Sequence, residues 1–208
     1  MESNKTDTYC KRCGTCCTRG GPALHVEDID IISNGILKFA DLVTFIKGEP
    51  AFDPAKGLLI HLPCDMIKIK GKSGVTNCIF YNEHASGCDI YQNRPVECRL
   101  LKCWDTREIE SVFMKDLATR RQICSDNHLI DLMDKHDELF GTERINRLLN
   151  RHPSSEDSRI ARLIAEEEEF RHNAVEKYDI TVEDCDFLFG RPIHDIIDTL
   201  IAARRYGI

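Results

Sequence analysis

The sequence contains no long apolar run. Its first twenty residues, MESNKTDTYCKRCGTCCTRG, include no apolar stretch that could form the core of a signal peptide. No later segment approaches the roughly 18 consecutive apolar residues that a membrane-spanning helix needs. We therefore expect a cytoplasmic protein without a membrane span.

Basic residues are fewer than acidic ones. Lys and Arg total 28, whereas Asp and Glu total 35, and the formal net charge is -7. A general nucleic-acid binder needs a cationic surface, and so does a protein that binds anionic membranes. The composition therefore argues against both classes, and we expect no nucleic-acid partner.

Several catalytic signatures are also missing. Residue spacing reveals no phosphate-binding loop, no dinucleotide-binding fingerprint and no Ser-His-Asp arrangement. The eight histidines are scattered, without a His-x-x-x-His or His-Glu-x-x-His pair, so we do not expect histidine ligands. Whether the protein is an enzyme stays open, and its catalytic residues are unknown.

Cysteine, in contrast, is abundant, with eleven residues in a chain of 208. Disulfides are rare in a reducing compartment, and an odd number of cysteines fits a paired framework poorly. Thiolates at this density need a cationic partner, which is usually a soft metal ion or an iron–sulfur cluster. The cysteines that carry this argument are Cys10, Cys13, Cys16, Cys17, Cys78, Cys88 and Cys98.

The first cysteines have the spacing Cys10-x-x-Cys13-x-x-Cys16, which is that of the first three ligands in bacterial ferredoxins. Gly14, between two of them, permits a positive φ and a close approach of the backbone. The side chain of the adjacent Cys17 is expected to point away from that of Cys16. Cys17 is therefore a candidate ligand for a second metal or a bridge between two.

The segment around Cys98 has features of a helix start, because Pro95 is typical of the first helical turn. The helix dipole at this position is expected to lower the pKa of the Cys98 thiol and to favour the thiolate that binds metal. Arg94 and Arg99 are predicted to offset the negative charge of a multi-thiolate site. They would do so by donating hydrogen bonds to sulfur or to a neighbouring carboxylate.

Apolar periodicity predicts an α+β protein, with a small irregular cysteine-rich region of short strands followed by a mostly helical C-terminal region. The predicted division is a cysteine-cluster metal-binding region at 1–105 and a helical region at 106–208 that packs on it. The run Glu166–Glu169 is expected to lie on a solvated helix face. We expect strands at 57–62, 66–70, 77–81 and 88–91, and helices at 26–36, 37–46, 112–118, 129–140 and after Pro192.

The combined pattern resembles the YkgJ-type cysteine-cluster family, a zinc- or iron-chelating domain with a Cys-x-x-Cys-x-x-Cys-Cys run. Besides that run, the resemblance rests on Cys78, on Cys88-Asp-Ile-Tyr91 and on Arg94-Pro-Val-Glu-Cys-Arg99, so it covers about residues 7–105. A similar cluster occurs in flagellin lysine-N-methylases, but this chain lacks a glycine-rich methyl-donor signature. The resemblance implies no activity; as ligands it implies Cys10, Cys13, Cys16, Cys17, Cys78, Cys88 and Cys98, with Arg94 and Pro95 as further signature residues.

An eighth ligand would complete two sets of four, and Cys103 and Cys64 are the candidates. Cys103 joins the predicted set because it is able to reach the site if the helix from Pro95 breaks near Leu101. Cys124 and Cys185 lie beside apolar residues in helical stretches, so we expect them to be buried core thiols.

These observations predict a metal-binding protein that holds an iron–sulfur cluster, of the 4Fe-4S type, with zinc as the alternative. In that alternative the metal is structural and the helical region binds a protein partner. A thiol–disulfide enzyme that uses Cys13-Gly-Thr-Cys16 is a further hypothesis. It is disfavoured because more cysteines and Gly20-Gly21-Pro22 follow where such a motif needs a helix.

Overall fold

The computed structural model describes residues 10, 13–53, 56–72, 76–151, 157–205 and 207. The chain divides into two compact units, each assembled from two separate stretches. The first unit combines Met1–Leu37 with Lys68–Ala118, and the second combines Lys38–Ile67 with Thr119–Ile208. Because each unit is discontinuous, residues distant in sequence become neighbours inside it.

Short strands lie early in the chain and helices dominate its later half, so the predicted α+β class is confirmed. None of the helices in the described segments is long and apolar enough to cross a membrane. The strands are β1 (Leu42–Phe45), β2 (Pro50–Asp53), β3 (Leu58–His61), β4 (Met66–Ile69), β5 (Tyr81–Asn82) and β6 (Gly87–Cys88). The helices are α1 (Ile29–Ser33), α2 (Val96–Leu100), α3 (Arg107–Val112), α4 (Arg120–Ile123), α5 (Asn127–Phe140), α6 (Thr142–Arg151), α7 (Ser158–Lys177), α8 (Cys185–Leu188) and α9 (Ile193–Arg205).

In the first unit, the fully buried Asp28 fixes the start of α2. Its carboxylate accepts hydrogen bonds from the backbone N–H of Val96 at 2.8 Å and from that of His25 at 3.0 Å. Burial raises the pKa of Asp28, and these two donors oppose that shift. Since Val96 begins α2, this carboxylate positions the helix that carries Cys98.

The second unit has an apolar core between the helices α5, α6, α7 and α9. Their apolar positions recur at helical spacing, so each helix buries one stripe. Strands β2 and β3 pair antiparallel from Pro50↔His61 to Asp53↔Leu58, and β1 forms a sheet with β4, whose Met66 and Ile67 belong to this unit. The core residues are Ile46, Phe140, Ile145, Leu149, Ile160, Leu163, Ile193, Ile196, Ile197 and Leu200.

Several predicted elements are confirmed. The strands expected at 57–62 and 66–70 are β3 and β4, and the helices expected at 129–140 and after Pro192 are α5 and α9. The segment expected to be helical at 26–36 contains a 3₁₀ turn and α1.

The helix predicted at 37–46 is wrong, because the segment is a 3₁₀ turn followed by β1. Alternate residues Leu42 and Thr44 of β1 are fully buried, and the Thr44 hydroxyl donates to the carbonyl of Phe187 at 2.6 Å. Val43, Thr44 and Phe45 favour a strand, and this tertiary contact outweighs the helical spacing.

The helix predicted at 112–118 is also wrong, because α3 ends at Val112. Met114 has a φ of 57° and Asp116 a φ of 46°, which a helix does not allow. The segment instead pairs with an earlier one: Val26 N–H donates to the carbonyl of Asp116, and Ala118 N–H donates to that of Leu24.

Candidate metal centre

The first unit contains a cavity of about 150 Å³ that is lined by cysteine side chains. The thiols come from the N-terminal loop, from the segment before β5, from β6 and from α2. Cysteines more than seventy residues apart therefore face one space. The lining cysteines are Cys16, Cys17, Cys78, Cys88 and Cys98.

The N-terminal loop is attached to the segment of Cys78 by hydrogen bonds to its backbone carbonyls. Cys78 N–H donates to the carbonyl of Cys17 at 2.7 Å, and the Thr76 hydroxyl donates to the carbonyl of Thr18 at 2.7 Å. The Cys16 and Cys17 sulfurs are 3.9 Å apart. The two adjacent cysteines therefore line one cavity together, although an extended segment would point their side chains apart.

Two glycines allow this loop to lie where it does. Gly14 has a φ of 76°, as its position between cysteines predicted, and a Cβ there would fall 2.2 Å from the ring of Tyr81. A Cβ on Gly21 would fall 2.2 Å from the carbonyl oxygen of Ile69. Larger residues would therefore clash with a ring and with backbone at the two ends of the cysteine loop.

Cys88 and Cys98 are placed by short regular elements. In the β5–β6 hairpin, Cys88 lies opposite Tyr81, and Asp89 N–H donates to the carbonyl of Phe80 at 3.0 Å. Cys98 is the third residue of α2. The helix start predicted beside Pro95 is confirmed. Helix α2 ends at Leu100, but Cys103, which follows it, is exposed.

Four of the lining thiols have a pKa above that of an ordinary cysteine. Burial raises the pKa of Cys78, Cys88 and Cys98, and it raises the pKa of Cys17 to about 12 with a further contribution from Cys16. The expected lowering of the Cys98 pKa by the helix dipole is wrong, because desolvation and four neighbouring thiols outweigh one short helix. A cation in the cavity would reverse this balance by stabilising thiolates.

The two predicted arginines differ in position. Arg94 lines the cavity, stacks 3.6 Å from the centre of the Tyr91 ring and lowers the pKa of Cys88 electrostatically against the effect of burial. Arg99 does not line it; one nitrogen donates to the carbonyl of Arg94 at 2.8 Å, and another lies 3.5 Å from a carboxylate oxygen of Glu27. Arg94 therefore faces the thiols, and Arg99 hydrogen-bonds to the backbone of Arg94.

A carboxylate at the cavity was not found by sequence reasoning. Glu97 lines the cavity, accepts from Ala23 N–H at 2.8 Å and lies 3.4 Å from the ring nitrogen of the buried His25. The hydrogen bond to Glu97 raises the pKa of His25, although burial opposes that shift. The signal was present in the sequence, since Glu97 stands directly before Cys98.

The other cysteines do not line this cavity. Cys10, Cys13 and Cys103 are exposed, and the Cys13 sulfur is 3.2 Å from the Thr15 hydroxyl. Cys64, the second candidate for an eighth ligand, is exposed and belongs to the second unit. Cys124 and Cys185 are each 2% exposed, so the prediction of buried core thiols is confirmed.

The segment Cys13-Gly14-Thr15-Cys16 lacks the structural context of a thiol–disulfide motif. A redox-active pair is activated at the start of an α-helix, whereas Cys16 precedes only a 3₁₀ turn at Cys17–Arg19. The sulfur of Cys16 instead lies beside that of Cys17. This geometry gives no support to the thiol–disulfide hypothesis.

The donor set fits a thiophilic metal in its chemistry. Five cysteines face a cavity whose remaining walls include the apolar Ile69, Phe80 and Ile90. Within the described part of the chain, no three Cys, His, Asp or Glu side chains are close enough to hold one metal ion as they stand. Ligation therefore requires the cysteine side chains to rotate toward one another.

Comparison with family models shows to which family the chain belongs. A family model described as "CxxCxxCC: Putative zinc- or iron-chelating domain" matches residues 9–125, which is more than half of the chain. No curated protein and no solved structure matches the chain significantly. The match confirms the resemblance that the cysteine pattern indicated.

Proposed function

Because this chain belongs to the CxxCxxCC chelating-domain family, we propose that it binds an iron–sulfur cluster of the 4Fe-4S type through thiolates of the N-terminal loop and the Cys78–Cys98 segment. One observation carries the proposal: five cysteine thiols from four segments line one cavity. Thiolates are the ligands of such clusters, and the Cys10-x-x-Cys13-x-x-Cys16 spacing is that of a cluster-binding loop.

The lining cysteines are the ligands that this proposal ranks first. Cys10, Cys13 and Cys103 remain part of the predicted ligand set. Arg94 would offset the negative charge of the ligand set, because its guanidinium already lowers the pKa of Cys88. The functional division into a metal-binding region at 1–105 and a helical region at 106–208 belongs to the same proposal.

When bound, a cluster of this kind would supply a centre for one-electron transfer. The residues of the chain would give up thiol protons as they ligate, so binding would strengthen with rising pH. The apolar walls formed by residues such as Phe80 and Ile90 would limit the access of water and so influence the reduction potential. A cytoplasmic location belongs to the same proposal, because a reducing compartment would keep the lining thiols available as ligands.

Anaerobic purification of the full chain tests the proposal. We expect a coloured protein that contains iron and acid-labile sulfide in equal amounts, with visible absorption that is bleached by reduction. Cys88→Ser and Cys98→Ser should lose most of the iron. Cys185→Ser removes a thiol that is buried outside the cavity, so this variant should retain its iron.

Zinc is the second candidate, and the surplus of thiols over four supports it, since structural zinc sites take four thiolates each. A colourless protein that contains stoichiometric zinc and no iron would favour a structural zinc site over the cluster. In that case the helical region would bind a protein partner. Full metal retention in both Cys88→Ser and Cys98→Ser would contradict both forms of the proposal.

A further inference from the structure

Arginine side chains surround a second cavity, which lies in the second unit between α6 and α7 and has a volume of about 420 Å³. Leu148 and Leu163 contribute apolar lining, and Glu166 is the acidic residue among the lining side chains. We name this cavity the arginine groove, after its basic residues Arg144, Arg147, Arg151, Arg159 and Arg162.

The groove follows from helical spacing in the two helices. Arg144, Arg147 and Arg151 are separated by three and four residues, so they share one face of α6. Arg159 and Arg162 are three residues apart and share a face of α7. Both faces line the same cavity, which concentrates guanidinium groups that a single helix would leave dispersed.

Carboxylates in the groove do not balance these charges. Glu166 accepts from Arg162 Nε at 2.8 Å, and its other oxygen lies 3.9 Å from a nitrogen of Arg144. Arg144 also donates to the carbonyl of Leu139. Within the described residues, Arg147 and Arg151 form no ion pair. Among the lining side chains, Arg144 and Arg162 therefore share the carboxylate of Glu166, which leaves the charges of Arg147 and Arg151 as those on which anion binding would depend.

This concentration of positive charge is unusual for the chain that carries it. The whole protein has a net charge of -7, so the groove is a local basic site on an acidic molecule. Like charges that face one another repel, and a bound anion removes that repulsion. Guanidinium groups bind phosphate oxygens through paired N–H donors, so several of them around one cavity suit a ligand with several phosphates.

We propose that the arginine groove binds a compact anion that carries a chain of two or more phosphate groups. A cavity of this volume lies in the range of small-molecule sites, which is roughly 300–1,000 Å³. A nucleic acid is the less suitable ligand, because its long polyanionic backbone would meet an acidic protein beyond the groove. The ligand is therefore a free oligophosphate or the phosphate chain of a nucleotide.

Calorimetric titration of the full chain with inorganic tripolyphosphate, with ATP and with a short DNA duplex tests this proposal. We expect binding of tripolyphosphate that weakens as salt increases. Equal affinity for ATP assigns recognition to the phosphate chain alone, and tighter binding of ATP adds a contribution from the nucleoside. No binding of either ligand at low salt overturns the proposal, and preferential binding of the duplex overturns the assignment of a compact ligand.

The double variant Arg147→Gln/Arg151→Gln tests whether the ligand binds in the groove. We expect it to bind tripolyphosphate at least about tenfold more weakly, because the variant lacks two guanidinium groups that would donate charged hydrogen bonds to the phosphates. The control Arg107→Gln/Arg205→Gln removes the same charge from exposed positions outside the groove and should bind as the wild type does. Equal losses in the two variants would overturn the assignment.

Thermal unfolding of both double variants establishes that they are folded. The proposal is independent of the metal centre, because the groove consists entirely of residues of the second unit. Loss of metal in the cysteine variants with unchanged tripolyphosphate binding would separate the two sites, and a failure of either proposal leaves the other testable.

Discussion

At the scale of single residues, His136 and Glu167 form a buried pair in the core of the second unit. Each side chain is 1% exposed, and the His136 Nε2 atom lies 3.1 Å from a carboxylate oxygen of Glu167. Arg171 also donates to Glu167, and the imidazole packs among the rings of Phe140, Phe170 and Phe189. The expectation that Glu166–Glu169 lies wholly on a solvated face is therefore wrong at Glu167.

The buried pair of His136 and Glu167 predicts how the stability of the protein depends on pH. Burial alone would raise the pKa of Glu167, but the hydrogen bond to His136 and the charge of Arg171 lower it below its ordinary value of 4.5. A lowered pKa in the folded state gives stability that is present above the ordinary pKa and is lost as pH falls through the folded value. The free energy of unfolding of the wild type should therefore exceed that of Glu167→Gln by about 1–3 kcal/mol near neutral pH. This difference should shrink toward about pH 3.

Urea unfolding of the two proteins between about pH 7 and pH 3 measures this difference. Glu168→Gln is the matched control, because Glu168 is the next residue on α7 and is exposed. Its free energy of unfolding should follow that of the wild type at every pH. A gap between wild type and Glu167→Gln that does not change with pH would contradict the prediction.

At the scale of elements, the segment Gly20-Gly21-Pro22 is held against the end of β4. Ile69 N–H donates to the carbonyl of Pro22 at 3.0 Å, and Ala23 forms an antiparallel bridge with Lys68. Gly21 approaches the carbonyl of Ile69 so closely that a side chain has no space there. This contact follows the cysteine loop directly and fixes where the loop leaves the cavity.

We expect Gly21→Ala to destabilise the first unit by about 1–3 kcal/mol, because the new Cβ would overlap backbone that does not rotate away. Thermal and urea unfolding measure the change. Gly87→Ala is the control, since its Cβ would be 3.6 Å from the nearest atom, the carbonyl oxygen of Ala85. Equal stability of the two variants would rule out this role for Gly21.

At the scale of the whole molecule, the two units differ in what stabilises them. The second has a continuous core of aliphatic and aromatic side chains contributed by four long helices and Ile46. The first has short elements, and five of its thiols face one cavity. Metal binding would therefore contribute to the stability of the first unit, as it does in small domains with structural metals.

Removal of the metal by a chelator should raise amide hydrogen exchange in the first unit, at 13–37 and 76–118. The helices α5, α7 and α9 should keep their protection, because their apolar core includes none of the lining cysteines. Hydrogen-exchange mass spectrometry before and after chelation measures both regions. The metal-free variant Cys88→Ser should show no change on addition of the chelator, and a uniform loss of protection across both units would contradict the prediction.

The sequence by itself determined those features that depend on local spacing. The Cys-x-x-Cys-x-x-Cys-Cys run indicated a metal-chelating family, because such spacing is seldom found without ligation. Helices α5 and α9 were predicted because their apolar residues repeat at helical intervals along one segment. The α+β class followed in the same way from the change of period along the chain.

Only the tertiary structure decided which distant residues meet. It brought five of the predicted cysteines and Glu97 to one cavity, buried Glu167 beside His136, and placed the arginines of α6 and α7 around one groove. It also made 42–45 a strand, because Thr44 hydrogen-bonds a residue 143 positions away. Local propensity contributes fractions of a kcal/mol per residue, whereas burial and long-range contacts contribute more, and those depend on neighbours that spacing does not reveal.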